Sequence, residues 1–235
     1  MRKLALSDKI LLKVDKAARY IGGEVNSVMK DKNEIDIRFA MCFPDVYEIG
    51  MSNLGMMILY NMFNQREDVW CERLFSPWPD LDKVMREQNI PLFALESQEP
   101  IRDFDFLGIT LGYEMCYTNI LQVLDLSGIP LKSADRGEDF PIVIGGGACA
   151  YNPEPLAPFF DLFYIGEGET VYDALFDAYK ANKKAGGSRR DFLLAAAKIP
   201  GIYVPSLYEV TYKKTARLRL LYQLRKVFRK KSRNS

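Results

Sequence analysis

The chain has 235 residues, 48% hydrophobic and 27% charged, a composition that suits a folded domain and excludes intrinsic disorder. No stretch approaches ~18 consecutive apolar residues and no secretory segment opens the chain, so a soluble cytoplasmic protein is expected. There is no histidine, which excludes imidazole bases, Ser–His and Cys–His pairs and the commonest metal ligand.

In chain order, residues 7–20 carry apolar side chains at helical spacing, with Ser7 or Asp8 as N-cap, until Gly22 and Gly23 break the pattern. Residues 35–43 alternate and then become fully apolar, as in a central strand, and Pro44 ends them. A helix is predicted over 54–63 with Ser52 as its cap, a strand over 70–75, and a helix over 80–88 capped by Asp80. A short strand fits 92–95, a strong one 104–111, and a helix 115–126 before Gly128 and Pro130. Residues 142–144 and 160–165 read as buried strands that each run into glycines, and 170–181 as an amphipathic helix. After Gly186-Gly187-Ser188, residues 189–198 look helical and 201–212 extended.

Strands alternating with helices imply an α/β fold, a doubly wound and mostly parallel sheet of the Rossmann-like or flavodoxin-like kind. The divisions expected are an N-terminal helical extension (1–23), the α/β domain (24–185), a helix plus extended segment (186–212) and a basic tail (213–235). Right-handed crossovers place every strand-to-helix loop at one sheet edge, where such folds bind ligands.

Four loops therefore supply the candidate site. The first, after residue 43, is long for its type and offers Pro44, Asp45, Glu48, Gly50, Ser52 and Gly55. In the second, Gly112 ends the strand, and Tyr113, Glu114, Tyr117 and Thr118 supply polar groups at a mouth. The third offers Gly145, Gly146 and Gly147, whose lost entropy suggests bare backbone against a ligand, with Asn152 and Glu154 beyond them. The fourth is Gly166, Glu167, Gly168 and Glu169. Its amides suit a hydroxyl, whereas its carboxylates would repel a phosphate. Acid–base chemistry would require Glu48, Glu114, Glu167 and Glu169 to converge.

The cysteines, Cys42, Cys71, Cys116 and Cys149, are 29, 45 and 33 residues apart, so zinc and iron–sulfur spacings are absent and reduced, buried thiols are expected. Residues 213–235 hold ten of the 32 Lys and Arg and no Asp or Glu. The first 212 residues thus set 22 basic against 31 acidic side chains, a net charge of −9. In the tail, Leu218, Leu221, Leu224, Val227 and Phe228 would align on a helix, a basic amphipathic element suited to nucleic acid, a membrane surface or an acidic partner.

Val143-Ile144-Gly145-Gly146-Gly147, Asn152-Pro153-Glu154-Pro155 and Asp161-Leu162-Phe163-Tyr164-Ile165-Gly166-Glu167-Gly168-Glu169 together resemble the cobalamin-binding-type domain that precedes many radical S-adenosylmethionine (SAM) domains. The phrases Phe43-Pro44-Asp45-Val46-Tyr47-Glu48-Ile49-Gly50-Met51-Ser52 and Tyr151-Asn152-Pro153-Glu154-Pro155 are more specific, and resemble an uncharacterised radical SAM family over about residues 18–212. The resemblance implies a cobalamin-type domain followed by a barrel that holds a [4Fe–4S] cluster on C-x-x-x-C-x-x-C and cleaves SAM. Neither that motif nor the D-x-H-x-x-G of base-off cobalamin binding occurs in this sequence. Cobalamin would therefore lack a protein axial ligand, and cluster and SAM would belong to a downstream domain. The expectation is a truncated or split radical SAM protein, binding ligand or shaping the substrate site without catalysing alone, with a separate radical SAM chain as partner. The alternative is an interaction module with a vestigial crevice and a binding tail.

Overall fold

In the computed structural model, which describes residues 4–212 and 218–223, five parallel strands form as expected: β1 (Ile37–Phe43), β2 (Val69–Phe75), β3 (Phe106–Thr110), β4 (Ile142–Gly146) and β5 (Leu162–Tyr164). A sixth, β6 (Ile202–Tyr203), runs antiparallel beside β5. The sheet order is β2-β1-β3-β4-β5-β6. The chain builds outward from β1 to β2, then returns across β1 to β3, which sets the topological switch point between β1 and β3. This is a Rossmann-like α/β architecture of the flavodoxin-like order.

The helices are α1 (Asp8–Leu11), α2 (Ala18–Ile21), α3 (Tyr47–Gly50), α4 (Leu54–Gln65), α5 (Pro79–Gln88), α6 (Tyr117–Leu126), α7 (Tyr172–Lys184) and α8 (Arg189–Ala196). Successive strand residues point to opposite faces, so the sheet feeds two cores. On one side Phe39, Phe106 and Ile144 pack against Met56 and Phe63 of α4, Phe176 of α7 and Phe192 of α8. On the other, Cys42, Leu107 and Val143 pack against Leu81 of α5, Val123 of α6, and Ile10 and Tyr20 of the N-terminal helices.

Local chemistry shifts several boundaries. Residues 7–20 form two single-turn helices instead of one. Asn53, not Ser52, caps α4 by accepting from the Met56 N–H at 2.8 Å, because the Ser52 hydroxyl is already spent on the Glu48 carbonyl of α3. Asp80 lies inside α5, which starts on Pro79, and its carboxylate accepts from the Asp15 N–H at 2.7 Å. Residues 186–203 do not stand apart from the sheet, since β6 extends it and α8 packs on the same face as α7. Residues 218–223 are extended, not helical: β8 (Leu218–Gln223) pairs antiparallel with β7 (Tyr208–Tyr212), a partner that the helical pattern could not anticipate. Leu224, Val227, Phe228 and the rest of the basic tail lie outside the described residues.

Residues 92–95 make only one bridge, between Phe93 and Pro100, yet they protect the sheet edge. Edge strands expose unpaired backbone groups. Here the Leu95 N–H donates to the Arg73 carbonyl at 2.8 Å, and the Arg73 N–H donates to Glu96 Oε2 at 2.6 Å. The same Glu96 accepts from Arg73 Nε at 2.5 Å, while the guanidinium also reaches Glu24 at 2.7 Å and lies 5.0 Å from the Tyr60 ring centroid. Arg73 and Glu96 are 1% and 0% exposed, so neither charge can turn to water for compensation. Arg73→Met, which leaves Glu96 buried without its cation, should cost about 3–5 kcal/mol in urea denaturation, and Arg73→Met/Glu96→Leu should recover most of that loss.

Candidate functional site

The four loops do meet at the carboxyl edge of the sheet. What opens a crevice between them is the register of small residues. On the side facing α4 and α7, the strand ends present Met41, then Gly108 and Thr110, then Gly146, then Tyr164. Thr110 and Gly146 thus put little bulk at the ends of the two central strands, and a crevice of about 240 Å³ remains. Met56 and Leu59 of α4 wall one side, and Tyr172 of α7 with the 166–169 loop walls the other.

Gly145, Gly146 and Gly147 serve three separate purposes. Gly145 and Gly146 do not open the loop, since β4 runs through both. A Cβ on Gly145 would stand 2.7 Å from the fully buried Phe163 ring, so that glycine lets β4 and β5 pack. Gly147 has φ +111°, and a Cβ there would meet the Leu111 carbonyl at 2.9 Å. At Gly146 a Cβ would find only the Tyr172 hydroxyl, 3.9 Å away, because it would project into the crevice. Gly146 is therefore the member of the triplet whose missing side chain makes room.

The fourth loop folds over α4. Gly166 adopts φ +150°, with the Tyr164 hydroxyl 2.9 Å from where a Cβ would stand. That hydroxyl donates to the Glu167 carbonyl at 2.7 Å, as does Thr170 at 3.1 Å. Gly168 lies against Leu59, with 3.2 Å available to a Cβ. Glu167 and Glu169 are exposed at the mouth, and neither carboxylate has a hydrogen bond or ion pair among the described residues. Tyr172 is only 8% exposed, and its hydroxyl has no partner among the described residues. Burial pushes this phenol well above its ordinary pKa, which keeps it protonated.

Of the residues expected at the site, Gly55, Gly146, Gly147, Gly166, Glu167, Gly168 and Glu169 line the crevice. The others sit on the same edge but face elsewhere. Glu48 is held by Lys16 at 3.1 Å and Arg19 at 2.9 Å. Desolvation pushes its carboxyl up, but hydrogen bonds from its own backbone, Lys16 and Arg19 outweigh this and bring it down to about 2. Gly50 makes room for Phe75, whose ring would lie 2.2 Å from a Cβ. Asp45 accepts from the Tyr113 hydroxyl at 2.8 Å and the Pro44 carbonyl accepts from Asn119 at 2.9 Å, tying the first loop to the second on the α6 side. Glu154 accepts from the Tyr203 hydroxyl at 2.5 Å. Ser52 closes α3, as described above, and Gly112, Glu114, Tyr117, Thr118, Gly145 and Asn152 do not reach the crevice. The four carboxylates do not converge, because Glu48 is engaged elsewhere and only Glu167 and Glu169 share the mouth.

Sequence reasoning missed Asn53, Met56, Leu59, Gly108, Thr110 and Tyr172. Gly108 carried a usable signal, being a glycine inside an otherwise apolar strand, a pattern that marks close approach. Leu54 at the start of α4 and Met115 and Tyr151 in the loops of this edge stand 73%, 82% and 75% exposed. No described helix is long and apolar enough to cross a membrane.

Residues 55–205 match the family of radical SAM proteins, N-terminal. The match spans more than half of the chain, and the protein belongs to that family. It is also 28% identical over 131 residues to an uncharacterized protein of Methanocaldococcus jannaschii, an alignment that covers 55% of this chain and 24% of that protein. The chain thus accounts for about a quarter of the relative's length. No solved structure matches it.

The glycine triplet yields a direct prediction. Gly145→Ala should lose about 1–3 kcal/mol through overpacking against Phe163. Gly147→Ala should lose roughly 1–2 kcal/mol through its left-handed backbone. Gly146→Ala should be neutral or gain up to about 1 kcal/mol. Thermal or urea denaturation of the three variants tests the order.

Proposed function

We propose that this protein is the ligand-holding N-terminal domain of a radical SAM protein, shaping a substrate or cofactor site without itself breaking bonds. The observation that carries this reading is the crevice at the carboxyl ends of β3 and β4, beside the switch point, with bare backbone at Gly146. Folds of this class bind ligands at that place. The exposed Leu54, Met115 and Tyr151 around the same edge support its being covered by a further domain or chain. Family membership supports a role beside radical chemistry. The cluster that starts such chemistry needs a cysteine motif that these 235 residues do not contain.

Cobalamin is the cofactor that the resemblance implies, and the residues present do not fit its histidine-ligated form. The chain has no imidazole to offer cobalt. The crevice, at about 240 Å³, holds the equivalent of about eight waters at ~30 Å³ each. That is below the ~300–1,000 Å³ of pockets that enclose drug-sized ligands. A corrin ring would lie outside it, and no cobalt chemistry is assigned to these side chains.

Two measurements test the reading. After incubation with hydroxocobalamin and desalting, the visible spectrum should show no corrinoid, and stoichiometric retention would overturn the misfit. A fragment screen by amide NMR should perturb Gly146, Gly147, Glu167 and Gly168, and Gly146→Val should abolish the response in a folded protein. Absence of any fragment acting on those amides would refute the ligand-holding role.

A further inference from the structure

The crevice also has a definite charge preference. Among the described residues its lining contains no Lys or Arg, and its only carboxylates are Glu167 and Glu169, both at the mouth and both unpaired there. Anions entering it would meet repulsion without a compensating cation. The interior is apolar at Met41, Met56 and Leu59, and the floor is bare backbone at Gly146, which lacks a side chain. Asn53, Thr110 and Tyr172 add polar side chains to the lining. The Tyr172 hydroxyl belongs to a residue 8% exposed, has no partner among the described residues, and lies 3.9 Å from where a Gly146 Cβ would point. A hydroxyl with no protein partner is free to accept from a ligand N–H or to donate to a ligand acceptor.

Resting on the reading of this crevice as a ligand site, we propose that its ligand is a small, flat organic cation. It is an aromatic ring system that lies over Gly146 and meets the Tyr172 hydroxyl. An attached protonated amine projects to Glu167 and Glu169. Phosphates and carboxylates are rejected. The size limit follows from the volume, which admits on the order of a dozen heavy atoms.

Tryptamine, indole and indole-3-propionate share one ring and differ in charge, so they serve as probes for calorimetric or NMR titration of the full chain. Tryptamine should bind at least about tenfold more tightly than indole-3-propionate at neutral pH, the scale expected of two exposed carboxylates. The preference should shrink with added salt and fall to within about threefold in Glu167→Gln/Glu169→Gln. Tyr172→Phe should weaken all three ligands while melting near the wild-type temperature, and Gly146→Val should abolish all three. Equal or tighter binding of indole-3-propionate, or a preference that persists in the double Gln variant, overturns the proposal. If none of the three binds while other fragments perturb the crevice amides, the cation inference fails and the ligand-holding role stands. If no fragment perturbs them, both fall.

Discussion

The Phe39 ring seated over Gly108 governs this side of the molecule. A Cβ on Gly108 would stand 2.4 Å from that ring, so β3 must carry glycine for β1 to send a phenylalanine across it. From there Phe39 contacts Phe63 of α4 at 5.0 Å, Tyr172 of α7 at 6.0 Å and Phe176 of α7 at 5.9 Å between centroids. Edge-on ring pairs of this kind have preferred geometries. They set how far α4 and α7 stand apart above the sheet. The crevice is the continuation of that gap toward the carboxyl edge, where Gly146 supplies no side chain to fill it.

The far edge of the sheet depends on a different balance. β2 is an outer strand, yet all of its residues are buried. The 92–98 segment and the N-terminal residues cover it, and they bring Glu96 and Glu24 to the buried Arg73. The polar network satisfies the backbone of the edge strand and its own charges together. It encloses no sizeable cavity, and its side chains are fully engaged with one another, which suits a structural role. The crevice differs on both counts, having free carboxylates at its mouth and a free hydroxyl inside.

Much of this was legible in the chain itself. The strand-ending glycines, the helical periodicities and the order of elements are local properties, and they placed the parallel sheet and the edge on which its loops gather. Of the four loops, the fourth brings Gly166, Glu167, Gly168 and Glu169 to the crevice. The second does not reach it, because Tyr113 and its neighbours fall on the α6 side of the sheet. Loop position along the chain says which edge a residue occupies. It does not say which face the side chain takes, since a one-residue shift at a strand end reverses that face.

The amino-acid sequence by itself determined the class of fold, the edge on which the four loops gather, the absence of imidazole side chains and the acidic character of the crevice mouth. Each follows from residue type and short-range spacing. Only the tertiary structure decided that Gly145, Gly146 and Gly147 do three different jobs, that Tyr172 and Gly108 line the crevice, and that Glu48 is bound to Lys16 and Arg19. Those outcomes depend on what another strand or helix places within a few ångströms. The spacing between distant residues is set by packing, which no local pattern encodes.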